Sequence, residues 1–290
     1  MFIIVSLNKK NIYEFKKLND KRRIFNELNE DFFSIYEQCN FIDKYALRRQ
    51  VKLLKDNNNF LGFIWFVKED NNTFFIRSIV VNEECDAKNC YRALLGALNC
   101  TGDVIYTCQS NNHNTELLGA LGFKVIEGTI EMCLKAEDLS SLDVLDDICF
   151  ERMKRGEQEG LRCKIQNEIF ENDDRIPLTI EDIYFDEEQS YYLEEGAIFI
   201  KAGSCYVGYG QIVVDRGNAY IVNFGILKEY RGKGYGKYLI QYLVKLIKSF
   251  GFNKVYIKVD SDNNKALKLY EAMGFEICNK YFKFMIIKNK

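Results

Sequence analysis

The sequence predicts a mixed α/β protein built as two similar domains in tandem. Three observations predict it. Strand-like and helix-like runs alternate along all 290 residues. Their order repeats after an acidic, polar stretch near the middle. Two short blocks of sequence then recur, in the same order, in both halves.

The elements read as follows. Residues 2–7 form a strand, and 11–54 is a charged stretch with helical apolar spacing. Phe60–Lys68 and Thr73–Val81 are strands split by the turn signal Glu69-Asp70-Asn71-Asn72. A helix at 87–98, a strand at 103–108, a helix at 112–121 and strand material at 123–134 follow. The polar run from Glu137 to Asp143 sits in a linker, placed at 137–147 between a first domain, 1–136, and a second, 148–290. The order then begins again: a strand at Ile148–Met153, helices at 157–171 and 179–194, and strands at Ala197–Ala202, Tyr206–Val214 and Ala219–Ile226. A helix at 234–249, a strand at 254–260, a helix at 263–272 and strand material at 275–288 complete it. In the recurring blocks, Ser78–Val81 with Asn82-Glu83-Glu84 matches Asn223–Ile226 with Leu227-Lys228-Glu229. Asn111 through Gly122-Phe123 matches Asn263 through Gly274-Phe275.

Composition narrows the function. The net charge of −2 gives no basic field for nucleic acid. His113 is the only histidine and no C-x-x-C pair occurs among the ten cysteines, so neither a metal site nor a disulfide framework is expected. No run approaches 18 apolar residues, and MFIIVSLNKK lacks the form of a signal peptide. A cytoplasmic protein with no membrane partner, monomer or homodimer, is the expectation.

The chemistry gathers at Tyr230-Arg231-Gly232-Lys233-Gly234-Tyr235-Gly236-Lys237. This turn lies between a strand and a helix whose apolar residues Leu239, Leu243, Leu246 and Ile247 share one face. Free N–H groups and the helix dipole favour an anion there, and glycines let phosphate oxygens approach the backbone. Arg231, Lys233 and Lys237 add positive charge. The G-x-G-x-G spacing is neither a Walker A loop nor a dinucleotide fingerprint. A tight strand-to-helix turn with no ligand is the plainer reading of the turn alone.

The strand Val255–Asp260 is followed by Asn263-Asn264-Lys265-Ala266-Leu267-Lys268-Leu269-Tyr270-Glu271-Ala272-Met273-Gly274-Phe275. R-G-x-G-x-G, a helix, a strand and then N-x-x-A-x-x-L-Y-x-x-x-G-F resembles the GNAT superfamily of acyl-CoA-dependent N-acetyltransferases, closely over 219–275 and by element order over 148–290. The resemblance implies two tandem GNAT-like domains, each a mixed, mostly antiparallel twisted sheet flanked by helices. It implies an N-acetyltransferase that moves an acetyl group from acetyl-CoA to a primary amine by direct attack in a ternary complex. Phe224, Gly225 and Ile226 would pair with the pantetheine arm, a backbone N–H near Ile226 would stabilise the oxyanion, N–H groups of Arg231 through Lys237 would hold the pyrophosphate, and Asn263 would contact the cofactor. Tyr270 would protonate the departing thiolate. Asn263 also reads as a helix N-cap, and Tyr270 as core.

The base is less legible. An alkylammonium ionises at roughly pH 10 and must lose a proton before attack. Family members often carry a glutamate on the strand before the Arg-Gly turn, where this chain has Asn223. Asp260, Glu194 and Glu195 are the candidates left. A non-catalytic acyl-CoA sensor or interaction protein is the alternative.

Two further expectations follow. In the first half Asp86 falls where Arg231 stands, Asn89 opposite Gly234, Tyr91 opposite Gly236 and Leu118 opposite Tyr270, so that copy lacks the cofactor site. Second, Glu168, Glu171, Asp173, Asp174, Glu181, Asp182, Asp186, Glu187, Glu188, Glu194 and Glu195 share their segment with one base, Arg175. In the family this segment walls the acceptor cleft, which points to a cationic small molecule or basic peptide end. A solvated acidic face is the competing reading.

Overall fold

The computed structural model describes all residues except 1, 58, 71, 83–85, 140–146, 173–174 and 289–290. Most of the linker, Glu83 and Glu84 of the first recurring block, and Asp173 and Asp174 of the acidic segment lie outside the described residues. Two compact units result: residues 1–129 with 279–290, and residues 130–278.

The first unit contains β1 (Phe2–Ser6), α1 (Ile12–Asp20), α2 (Phe32–Tyr36), α3 (Phe41–Arg49), β2 (Val51–Asp56), β3 (Asn59–Lys68), β4 (Thr73–Val81), α4 (Ala87–Gly96), β5 (Gly102–Gln109), α5 (Asn112–Ala120) and the start of β6 (Lys124–Lys135). Strands β1 to β4 are antiparallel neighbours, and β4 runs parallel to β5. Period-two alternation sends Leu54 and Ile64 to one face, where α4 packs Cys90, Tyr91, Leu94 and Leu95. Leu53, Phe63 and Trp65 go to the other face, under Phe15 and Leu18 of α1 and Phe32 of α2.

The second unit contains the rest of β6, then β7 (Ile148–Arg152), α6 (Glu159–Ile169), α7 (Ile180–Glu187), β8 (Tyr192–Ala202), β9 (Cys205–Asp215), β10 (Asn218–Ile226), α8 (Tyr235–Ser249), β11 (Lys254–Asp260), α9 (Asn264–Ala272) and the start of β12 (Glu276–Lys288). Strands β7 to β10 are antiparallel neighbours, and β10 runs parallel to β11. Ile198 and Ile200 of β8 face α8, whose Leu239, Ile240, Leu243, Val244 and Ile247 are wholly buried. Each such burial is worth about 1.5–3 kcal/mol. Ala197 and Phe199 face the opposite side, with Cys163, Ile165 and Ile169 of α6 and Ile183 of α7.

Both units are therefore mixed, mostly antiparallel sheets with helices on both faces, as the sequence implied. Two readings need correction. The stretch 11–54 is three short helices and then β2, because Val51 and Leu53 pack with the strands of their own sheet. The helix expected over 179–194 stops at Glu187, and β8 starts at Tyr192. The units also depart from sequence order: β6 and β12 each divide between them. Tyr281–Lys288 of β12 pair with β5 in the first unit, whereas β6 neighbours β11 of the second. Strand partnership across such distances is not written in local pattern.

Candidate functional site

In the second unit the sheet opens. β10 pairs with β11 only at Ala219–Ile221 against Val255–Ile257, although both strands continue. The register of β10 on β9 shifts between Val222 and Gly225, and Asn223 there has φ 50°. Such a bulge bends its strand and turns backbone groups away from the neighbour. Phe224, Gly225 and Ile226 form the parted end. Gly225 must lack a side chain: a Cβ would come 2.1 Å from Ile169 Cγ2 of α6.

The glycine turn follows at once. Gly232 and Gly234 have φ 81° and 87°, a region that suits glycine. Gly234 is the N-cap of α8, and no side chain caps that end. Among the described residues the N–H groups of Gly232, Lys233, Gly234, Tyr235 and Gly236 meet no acceptor, so the helix presents bare donors. The N–H groups at the two ends of the turn are engaged: Arg231 donates to Lys228 O at 3.3 Å and Lys237 to Gly234 O at 2.9 Å. The Arg231 guanidinium is partly engaged. It donates to Ile226 O at 2.8 Å and Ile169 O at 2.9 Å, tying the turn to β10 and α6. Lys233 lies over the Tyr230 ring at 5.2 Å, and Lys237 is exposed.

Tyr270, on α9, is 5% exposed, and burial pushes its phenol well above the ordinary range. Its ring packs edge-on to Phe224 at 6.1 Å, which brings it to the parted end of β10. Asn263 Oδ1 caps α9 by accepting the Ala266 N–H at 3.1 Å. Of the expected bases, Asp260 is exposed at the end of β11. Glu194 and Glu195 pair with Arg152 of β7 at 3.1 and 3.4 Å, and β9 separates their strand from β10. The structure thus groups Phe224, Tyr270 and the glycine turn, and draws neither glutamate to them.

A polar network lies beneath the bulge. Asn223 Nδ2 donates to Gln211 Oε1 at 3.2 Å, and Gln211 Nε2 donates to Asp186 Oδ2 at 3.3 Å. Arg162, 1% exposed on α6, donates to Gln211 Oε1 at 2.9 Å and also to Asp186 Oδ2. The Tyr191 hydroxyl donates to Asp186 Oδ1 at 2.9 Å. Arg162 and Gln211 escaped sequence reasoning. The one available signal was an arginine on the buried face of a helix, in step with Ile165 and Ile169. The acidic segment is not uniformly solvated. Asp182 closes a capping box with Thr179, and Glu187 is buried against Arg155 at 3.3 Å. A cleft of about 390 Å³ by α6 mixes Glu168 and Glu171 with Lys164 and Arg175.

The first unit repeats the opening and closes it. Here β4 and β5 pair only from Thr73–Asp103 to Ile76–Tyr106. Residues 26–30 cross the gap beyond. Asn26 Nδ2 donates to the Tyr106 hydroxyl and to Thr107 O, both at 2.8 Å, and its Oδ1 accepts Gln109 N–H at 3.2 Å. Asn29 Nδ2 donates to Ile79 O at 3.0 Å, and Glu30 N–H to Arg77 O at 3.0 Å. At the start of α4, the Asp86 carboxylate caps the helix through Asn89 N–H at 3.2 Å. Tyr91 and Leu118 are buried in the core.

Residues 163–275 match the family model described as acetyltransferase (GNAT) family. The uncharacterized N-acetyltransferase YycN of Bacillus subtilis (strain 168) is 41% identical over 58 residues, 20% of this chain and 37% of that protein. A mycothiol acetyltransferase of Corynebacterium aurimucosum is 35% identical over 65 residues, 22% of this chain and 21% of that one. The alignments thus span between a fifth and two fifths of these relatives' length. Among solved structures, a GCN5-related N-acetyltransferase from Sphaerobacter thermophilus superposes with TM-score 0.69 at 13% identity, over 99% of this chain and 95% of that one. A tandem GNAT protein from the clavulanic acid biosynthesis pathway gives 0.59 at 12% identity, over 100% and 99%. At these identities the structural likeness speaks to fold alone.

Proposed function

We propose, from the premise that residues 163–275 are a domain of the acetyltransferase (GNAT) family, that the second unit transfers an acetyl group from acetyl-CoA to a primary amine. The observation that carries this reading is the bare, glycine-capped start of α8 set directly after a strand that has left its neighbour. Five unengaged N–H groups suit a pyrophosphate. The free edge of β10 suits an extended amide-bearing arm. The thioester, when bound, supplies the activated acyl group. The Tyr270 phenol, pushed upward by burial, is protonated at neutral pH as any phenol is, and it lies by Phe224; in this reading it gives its proton to the leaving sulfur. Phe224, Gly225 and Ile226 present the strand edge. The Arg231 guanidinium fixes the turn. Asn263, Lys233 and Lys237 are proposed to meet the cofactor at the margin of the turn.

The acceptor we infer is a cationic amine, a small molecule or a peptide end, drawn by the carboxylates of residues 168–195. The first unit takes no acyl-CoA in this reading, because its own residues fill both the gap and the helix start. The experiment is a titration with acetyl-CoA, followed by thiol release with neutral, anionic and polycationic amines at low and high salt. One site per chain and salt-sensitive release with polycations are expected. Equal rates for neutral amines would remove the charge argument.

One observation favours a second reading, a non-catalytic acyl-CoA sensor: Asn223 stands where a carboxylate base was expected. Tight acetyl-CoA binding with no thiol release from any amine would select it.

A further inference from the structure

Asn223 sits on the bulge, and an amide takes no proton. Its Nδ2 is spent on Gln211, so its Oδ1 is the outward end, and among the described residues nothing donates to that oxygen. Gln211 is wholly buried and joins Asn223 to Asp186 through one side-chain amide. Asp186 Oδ2 receives Arg162 and Gln211, whereas among the described residues Oδ1 receives only the Tyr191 hydroxyl. A carboxylate oxygen has two lone pairs, so Oδ1 keeps one. The Asp186 side chain is 21% exposed, open enough to meet a ligand yet fixed on three sides. Four other carboxylates of the segment are committed: Asp182 to its cap, Glu187 to burial beside Arg155, Glu194 and Glu195 to Arg152.

We propose that Asp186 Oδ1 and Asn223 Oδ1 together receive the ammonium of the acceptor, and that Asp186 takes its proton. This rests on the acetyl-transfer reading above. An ammonium brings three donors and no acceptor, so a carboxylate oxygen and an amide oxygen held by one shared linker complement it. The N–H bond breaks with its electron pair left on nitrogen, the O–H bond forms on Asp186 Oδ1, and the neutral amine then holds the pair that attack requires. Asp186 returns the proton to solvent, and no other reactant is consumed. Arg162 and Gln211 are positioning residues: they hold Oδ2 so that Oδ1 faces outward. The acid usual on the strand is thus displaced to α7 and coupled back to the strand through Gln211.

The test uses the full chain saturated with CoA, titrated calorimetrically with putrescine, spermidine and lysine methyl ester. Asp186→Asn should weaken binding of these cations about tenfold or more, the scale of one lost charge-assisted hydrogen bond, with CoA affinity retained. Should that variant fold poorly, Asn223→Gly carries the test: glycine accepts φ 50° and deletes the amide. Turnover should split by charge, with a large loss for putrescine and a much smaller one for methoxyamine, which is uncharged at neutral pH. Unchanged amine affinity in both variants overturns the proposal. So do equal losses for charged and uncharged amines, which mark a merely distorted cleft. CoA binding with no amine bound by the wild type overturns the ammonium site and leaves the cofactor reading standing; failure to bind CoA overturns both.

Discussion

In the first unit β4 and β5 part after Ile76 and Tyr106; in the second, β10 and β11 part after Ile221 and Ile257. The first gap is bridged by Asn26, Asn29 and Glu30, which take up the carbonyls of Arg77, Ile79 and Thr107. The second has no comparable bridge among the described residues. The helix starts differ in the same sense: a carboxylate of the chain itself caps α4, while α8 begins on a bare glycine. Parted strands leave backbone donors and acceptors that need partners. One unit supplies them from its own chain; in the other, on the proposed function, a ligand supplies them.

The largest expected effect breaks the open side of this comparison. Gly234→Trp puts bulk at φ 87° on the helix start and should lower acetyl-CoA affinity at least a hundredfold, or about 2.7 kcal/mol. Asn89→Trp, at the matching place in the first unit, should leave it unchanged. Two equivalent sites in a binding titration would sink the contrast.

Next comes the phenol. Tyr270→Phe should lower turnover by about a hundredfold with acetyl-CoA affinity little altered, the usual scale for a lost general acid. Leu118, buried at the matching place, should tolerate Met with no change in rate. Full turnover by Tyr270→Phe would assign the proton to water.

The closed side is sharpened by Asn26→Ala. It strands the Thr107 carbonyl and the Gln109 N–H in a partly buried setting, at a cost of about 1–3 kcal/mol by chemical denaturation. The second unit's acetyl-CoA affinity should hold. A loss below about 0.5 kcal/mol would show that the bridge is incidental.

How much of this was legible follows from where the signals lie. The glycine turn and the N-x-x-A-x-x-L-Y segment are contiguous, so they could be read directly. The bridge could not: Asn26 and Asn29 look like ordinary turn residues, and their partners lie 81 and 50 residues away. The Arg231 side chain reads in sequence only as added positive charge, because the two carbonyls it binds lie outside the motif, on β10 and α6. The segment Val51-Lys52-Leu53-Leu54-Lys55 fits helix and strand periods alike, and only its packing decides.

The smallest effect concerns Glu187. Burial and the nearby Glu159 push its carboxyl above the ordinary range, against Arg155. A folded-state value above the unfolded one gives stability that is whole below the ordinary carboxylate pKa. That stability is lost as pH rises through the raised value. Glu187→Gln should therefore flatten the fall in melting temperature over that window, by the equivalent of less than about 1 kcal/mol. A variant that loses more stability at pH about 8 than at about 5 would contradict the assigned direction.

The division of β6 and β12 between the units sets a schedule for synthesis. Gln109 of β5 and Asn279 of β12, hydrogen-bonded at 3.2 Å, stand 170 residues apart. Domains usually fold in the order in which they are made. Here the earlier unit waits for residues made after the whole of the later one. Throughout that interval β5 carries an open strand edge, the kind of surface that invites wrong partners. A ribosome stalled before residue 279 would hold a chain whose second unit has all its residues, while the first still lacks its closing strand.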